Sequence, residues 1–135
     1  MNLRNLSLII ILTCTAACAP VRDGALGRFH RYDTTEYRQT VEILHSVQKI
    51  DQYCSSPDTL SQELQRLDDR VTFFKIYAEG RPYNSRTVSL VSDLQSLVTD
   101  TRARTQMSEF FCQERIRNIV RASEILRSAS GEKPE

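Results

Sequence analysis

The sequence predicts an all-α protein, a small up-down four-helix bundle with one disulfide, preceded by a signal peptide and a flexible tether. Three observations predict it. Apolar residues recur at spacings of four and three in four separate stretches, the period of a helix that buries one face. Four glycines and four prolines in 135 residues are too few for a turn-rich β fold. Two cysteines fall where this topology brings two helix ends together. The length suits one domain, and the chain divides into a signal at 1–17, a tether at 18–33, the bundle at 34–128 and a polar tail at 129–135.

The first helix is expected over residues 34–53. Asp33 and Glu36 form a capping box: the aspartate accepts from the amide of the third helical residue, where Glu36 stands. Ile43, Val47, Ile50 and Cys54 then share one face. The second helix is the clearest, over residues 57–79. Ser56 is a good N-cap, Pro57 suits the first helical position, and Asp58 favours the positive end of the helix dipole. Leu60, Leu64, Leu67, Val71, Phe74 and Ala78 keep the spacing throughout, and Gly80 is a natural stop. Phe73, Phe74 and Tyr77 cover too wide an arc for all to be buried in one narrow seam; core packing is the first expectation for them, and Phe73 is the candidate to face a groove or a partner instead.

The stretch "RPYNSRT" is a turn in which Pro82 fixes φ and Asn84 or Ser85 caps the third helix. That helix carries Val88, Val91, Leu94 and Val98, and its signal fades after Thr99. The fourth is expected over about residues 105–128, with Cys112, Ile116, Ile119, Ser123 and Leu126 on its apolar face. Gly131 is expected to stop it.

Charge excludes one class of partner. Arginine outnumbers lysine fifteen to three, yet the whole chain carries only +1, and from residue 18 onward seventeen basic side chains balance seventeen acidic ones. A nucleic-acid binder needs a basic surplus. No catalytic constellation, metal site or cofactor motif emerges. His30 falls in the tether, His45 falls on a polar face, the glycines form no phosphate loop, and Asp68 and Asp69 point about 100° apart on a helix. The sequence therefore predicts a protein that is not an enzyme and takes no cofactor.

Residues 1–17 read as an export signal. Arg4 supplies the positive charge, Leu6 to Leu12 the apolar core, and Thr15, Ala16 and Ala17 the small residues that precede cleavage. The core is too short to cross a bilayer, which takes about 20 apolar residues. The stretch "Thr15-Ala16-Ala17-Cys18" resembles the lipobox of bacterial lipoproteins, in which a bulky aliphatic and two small residues precede the lipidated cysteine. Thr15 departs from the usual leucine. The rival "Ile11-Leu12-Thr13-Cys14" has the aliphatic but lacks a small residue before its cysteine. The resemblance implies lipidation at Cys18, with palmitate among the acyl chains. Because Ala19 is not aspartate, it also implies residence on the periplasmic face of the outer membrane. Cleavage after Ala17 as an ordinary signal would instead release a soluble periplasmic protein. Several acyl chains, at about 0.8 kcal/mol per buried methylene, anchor a protein stably. The residues from Ala19 to Asp33 would reach about 50 Å if fully extended.

With Cys14 removed and Cys18 acylated, Cys54 and Cys112 remain as a pair in an oxidising compartment. Cys54 ends the first helix and Cys112 lies near the start of the fourth. In an up-down bundle these helices are antiparallel neighbours, so both cysteines sit at one pole. A bridge around the 57 intervening residues stabilises a body of this size by about 4 kcal/mol in the chain-entropy model.

Arg115, Arg117 and Arg121 stud the fourth helix, with Arg102 and Arg104 just before it. Glu114 can pair with Arg117 and Glu124 with Arg121 at helical spacing. The arginines form either a self-paired solvated face or a strip for an acidic partner or phospholipid headgroups. The turn "GRPYNSR" offers Arg81 and Tyr83 as interface anchors. Arg81, Tyr83, Arg115, Arg117 and Arg121 are thus the candidate partner contacts. The expected function is non-catalytic binding at a membrane surface, with an envelope protein as partner. The overall plan, a lipid anchor before a disulfide-bearing bundle, is similar to that of small helical pilotins, although no pilotin motif matches residue by residue. The alternative is a surface or entry-exclusion lipoprotein that binds an envelope receptor.

Overall fold

Asp33 does at the first helix what its side chain predicts. Its carboxylate accepts from the amides of Thr35 at 2.7 Å and Glu36 at 3.3 Å and so caps α1, Thr34–Val47. The structure, a computed structural model, describes residues 33–104 and 106–131. The expectations for the signal, for Cys18, for the tether up to Tyr32 and for residues 132–135 lie outside them.

Three further helices complete the chain order: α2 over Pro57–Glu79, α3 over Ser85–Arg102 and α4 over Glu109–Gly131. Together with α1 they form the expected four-helix bundle. Each helix packs on the next in the chain, and α4 closes the ring on α1; α1 and α2 touch least. No strand occurs among the described residues, and none of their helices is long and apolar enough to cross a membrane.

The first helix is shorter than its apolar period suggests. After Leu44 the hydrogen bonds tighten: Lys49 donates to Ser46 and Ile50 to Val47, and a 3₁₀ turn covers Asp51–Tyr53. Ile50 and Cys54 stay buried through this change. Over a single turn, a spacing of three or four fits either kind of helix.

Helix α2 matches its expected ends and its six expected core residues. Ser56 sits at the N-cap position but offers no side-chain bond; its carbonyl accepts from Leu60. Helix α3 extends past Thr99 because its last core position is held by Thr101, which is buried with its hydroxyl donated to the Leu97 carbonyl at 2.7 Å. The fourth helix starts later than expected. Ser108 caps it, its hydroxyl accepting from the Phe111 amide at 3.2 Å. It also ends later, so three residues assigned to the polar tail are helical. Ser130 is buried and donates to the Leu126 carbonyl. Gly131 is the last described residue of the helix, and a Cβ there would lie 2.9 Å from the Tyr37 ring.

The core runs the length of the bundle. Ile43, Val47, Leu64, Leu67, Val71, Phe74, Val91, Leu94, Ile116, Ile119 and Leu126 are all buried. Fully burying one such side chain stabilises by about 1.5–3 kcal/mol. The two ends of this core are closed by different chemistry.

Candidate functional site

At one pole, the end of α1 meets the start of α4. Cys54 and Cys112 are bonded there, as expected, with Cα atoms 5.7 Å apart, a normal span for a disulfide. Beside the bond, a cleft of about 510 Å³ opens between the start of α2, the end of α3 and the segment leading into α4. Leu60, Leu64, Met107 and the disulfide give it apolar walls, Arg102 and Arg104 line it with positive charge, and Asp58 adds one carboxylate. Arg102 is held by Asp68 across the α2–α3 seam. Arg104 is placed differently. Its guanidinium carbon lies 5.3 Å from the centroid of the Phe111 ring, and Arg115 stands 5.2 Å from the same centroid. Each cation–π contact contributes about 0.5–1 kcal/mol at an exposed position. Among the described residues neither Arg104 nor Arg115 has an ion pair. Phe110 stands alongside, 74% exposed.

At the other pole, the start of α1 meets the turn between α2 and α3. Here Glu36 departs from the capping-box expectation. Its carboxylate turns into the bundle, 3% exposed, instead of reaching back along α1. It accepts from Arg81 at 2.6 Å, from the Asn84 amide at 3.1 Å and from the Thr87 hydroxyl at 2.9 Å. Arg81 also pairs with Asp33 at 3.0 Å, and the Tyr77 hydroxyl donates to Asp33 at 2.6 Å. Burial would raise the Asp33 carboxyl, but the Tyr77 hydroxyl, the two capping amides and the Arg81 charge outweigh it and hold it below its ordinary value. The same bond to Asp33, with burial and the Asp33 charge, raises Tyr77. Asn84 does not cap α3 with its side chain: its amide serves Glu36 and the Ala78 carbonyl in the last turn of α2.

This arrangement bears on the expected contact residues. Arg81, expected as a partner contact, is engaged inside the chain by Glu36 and Asp33. Tyr83 is 63% exposed and has a left-handed backbone, φ 58°, so it and not Gly80 takes the reversed residue of the turn. Arg117 pairs with Glu114 as expected, whereas no Arg121–Glu124 pair forms among the described residues, and Arg121 is exposed. Arg115 leaves that strip and belongs to the Phe111 cluster. Apolar periodicity does not single out Phe110, and it places Phe111 only on the flank of the core face. Phe111 and Arg115 are four apart on a helix, a spacing that stacks them. Arg104 reaches the ring across a loop, where no periodicity signals it.

Other surfaces are plainer. Phe73 and Ile76 on α2 are 65% and 63% exposed, and Ile125 on α4 is 56% exposed. Phe73 borders a shallow groove of about 240 Å³ between α1 and α2, with Gln39, Glu42 and Arg70. His45 is exposed, and no group of three or more metal-binding side chains gathers among the described residues.

No family model, curated protein or solved structure matches this chain.

Proposed function

We propose that this chain is a lipoprotein anchored on the periplasmic face of the outer membrane, acting as a non-catalytic binding or accessory protein of envelope or secretion machinery in the manner of a pilotin. One observation carries the binding role. The bundle core is closed, yet large apolar side chains remain uncovered at the disulfide pole, where Phe110 is exposed and Phe111 lies between two arginines that form no ion pair among the described residues. Aromatic and arginine side chains are the usual anchors of protein interfaces.

The anchor supports the same reading through polarity. The chain enters the bundle at Asp33, at the pole opposite the disulfide. The 23 residues of α4 separate the two poles by about 34 Å. A protein tethered through Cys18 thus presents its aromatic pole at a distance from the point of attachment.

Crosslinking in intact cells, with identification of the bound protein, tests the function. A secretin or an assembly subunit as partner supports the pilotin-like role. A porin or transporter would support the entry-exclusion role instead. For the anchor, Cys18→Ser should release the protein into the soluble periplasm; unchanged membrane retention contradicts lipidation there.

A further inference from the structure

We infer that the cleft beside the disulfide receives an apolar segment of a partner protein that carries a carboxylate, with the acid met by Arg104 and Arg115. The inference rests on the binding role proposed above and names its site and the chemistry of its ligand.

The cleft supplies volume and apolar wall, about 510 Å³ lined in part by Leu60, Leu64 and Met107. Arg104 belongs both to that lining and to the Phe111 cluster. Stacking on an aromatic ring orients a guanidinium while leaving its N–H edge available, the edge that grips a carboxylate with two parallel bonds. Two such groups flank one ring, and no carboxylate among the described residues answers either. Three other arginines do have anionic or polar partners: Arg102 on Asp68, Arg81 on Glu36, Arg70 on Ser46. At the aromatic pole Arg104 and Arg115 stand beside exposed apolar surface with no ion pair among the described residues. Of the acids there, Asp68 is taken by Arg102, while Asp58 at the start of α2 pairs with neither arginine; that unanswered charge selects an acidic, apolar occupant.

Residues 132–135 and 19–32 do not meet this requirement. Gly131 lies at the opposite pole, and a stretch the length of residues 132–135 spans at most about 14 Å, short of the roughly 34 Å between poles. Residues 19–32 are long enough, but they carry Arg22, Arg28 and Arg31 against one acid, Asp23.

The test uses the full-length protein in intact cells that carry it naturally, with a photoreactive benzophenone side chain placed in turn at positions 110, 76 and 125. Position 110 should give a protein adduct whose crosslinked peptide maps to an apolar stretch containing Asp, Glu or a C-terminal carboxylate. The pair Arg104→Ala and Arg115→Ala should lower its yield tenfold or more. Should that variant not fold, raising the salt to about 0.5 M must lower the wild-type yield several-fold, because exposed charge contacts are screened. A yield indifferent to both changes, a peptide without acids, or an adduct to phospholipid overturns the inference. Protein adducts from 76 or 125 but not from 110 overturn it and leave the binding role standing. Adducts from none of the three overturn both.

Discussion

The two poles of this bundle hold the same number of helices together by opposite means. At the pole where the chain enters, Glu36, Asp33, Tyr77, Arg81, Asn84 and Thr87 turn inward and answer one another. At the other pole, a covalent bond closes α1 on α4, Arg102 pairs with Asp68, and Arg104, Phe110 and Phe111 are exposed. A polar network uses its side chains to hold the fold. A disulfide holds it without them, and so leaves charge and aromatic surface available for a partner.

The comparison breaks most readily at the bond itself. Cys112→Ser, or reduction of the wild type, should cost about 4 kcal/mol. For a body of this size that lowers Tm by about 15–30 °C, readable by calorimetry on oxidised and reduced samples. Equal melting of the two forms would mean that the disulfide pole is held by something else.

Next comes the buried carboxylate. Glu36→Ala leaves Arg81, Asn84 and Thr87 without this acceptor and should cost about 3 kcal/mol in urea unfolding, the usual scale for breaking a buried ion pair from one side. Because the two poles are separated by far more than the range of side-chain coupling, this loss and that of Cys112→Ser should add. Strong non-additivity would show that the poles are not independent.

A smaller effect separates the poles by pH. The folded-state value of Asp33 is depressed, so its contribution is present at pH above its unfolded value of about 3.9 and is lost as pH falls through the lower folded value. Tyr77→Phe removes one of the bonds that depress it. The variant should be about 1 kcal/mol less stable at pH 7, and it should lose less stability than wild type between about pH 5 and pH 2. If the two lose stability in parallel, the hydroxyl is not what holds Asp33 ionised. The smallest effect lies in the turn. Tyr83→Gly removes a side chain from a left-handed residue and should be neutral or stabilising, by up to about 1 kcal/mol.

These differences also explain what could be read from the sequence. Helix α2 was legible from end to end because Pro57, Gly80 and an unbroken leucine pattern are local signals. The disulfide was legible because helix order alone fixes which ends meet. Glu36 was not, since its partners lie 45 to 51 residues away, and at the third position of its helix it looks like a capping glutamate. The end of α3 was hidden by Thr101, and the start of α4 by Ser108, both polar residues that bond to the local backbone. Half of the Phe111 cluster, the Arg115 side, was implicit in helical spacing; the Arg104 side depends on the path of the loop before α4.

The most direct test of the contrast is equilibrium urea unfolding of the oxidised chain carrying both Arg104→Ala and Arg115→Ala. If the disulfide frees these side chains from structural work, the loss is two cation–π contacts, one from exposed Arg104 and one from half-buried Arg115, and the variant stays within about 2 kcal/mol of wild type. A loss of about 3 kcal/mol or more, on the scale expected of Glu36→Ala, would show that the arginines hold the pole together and are not free for a partner.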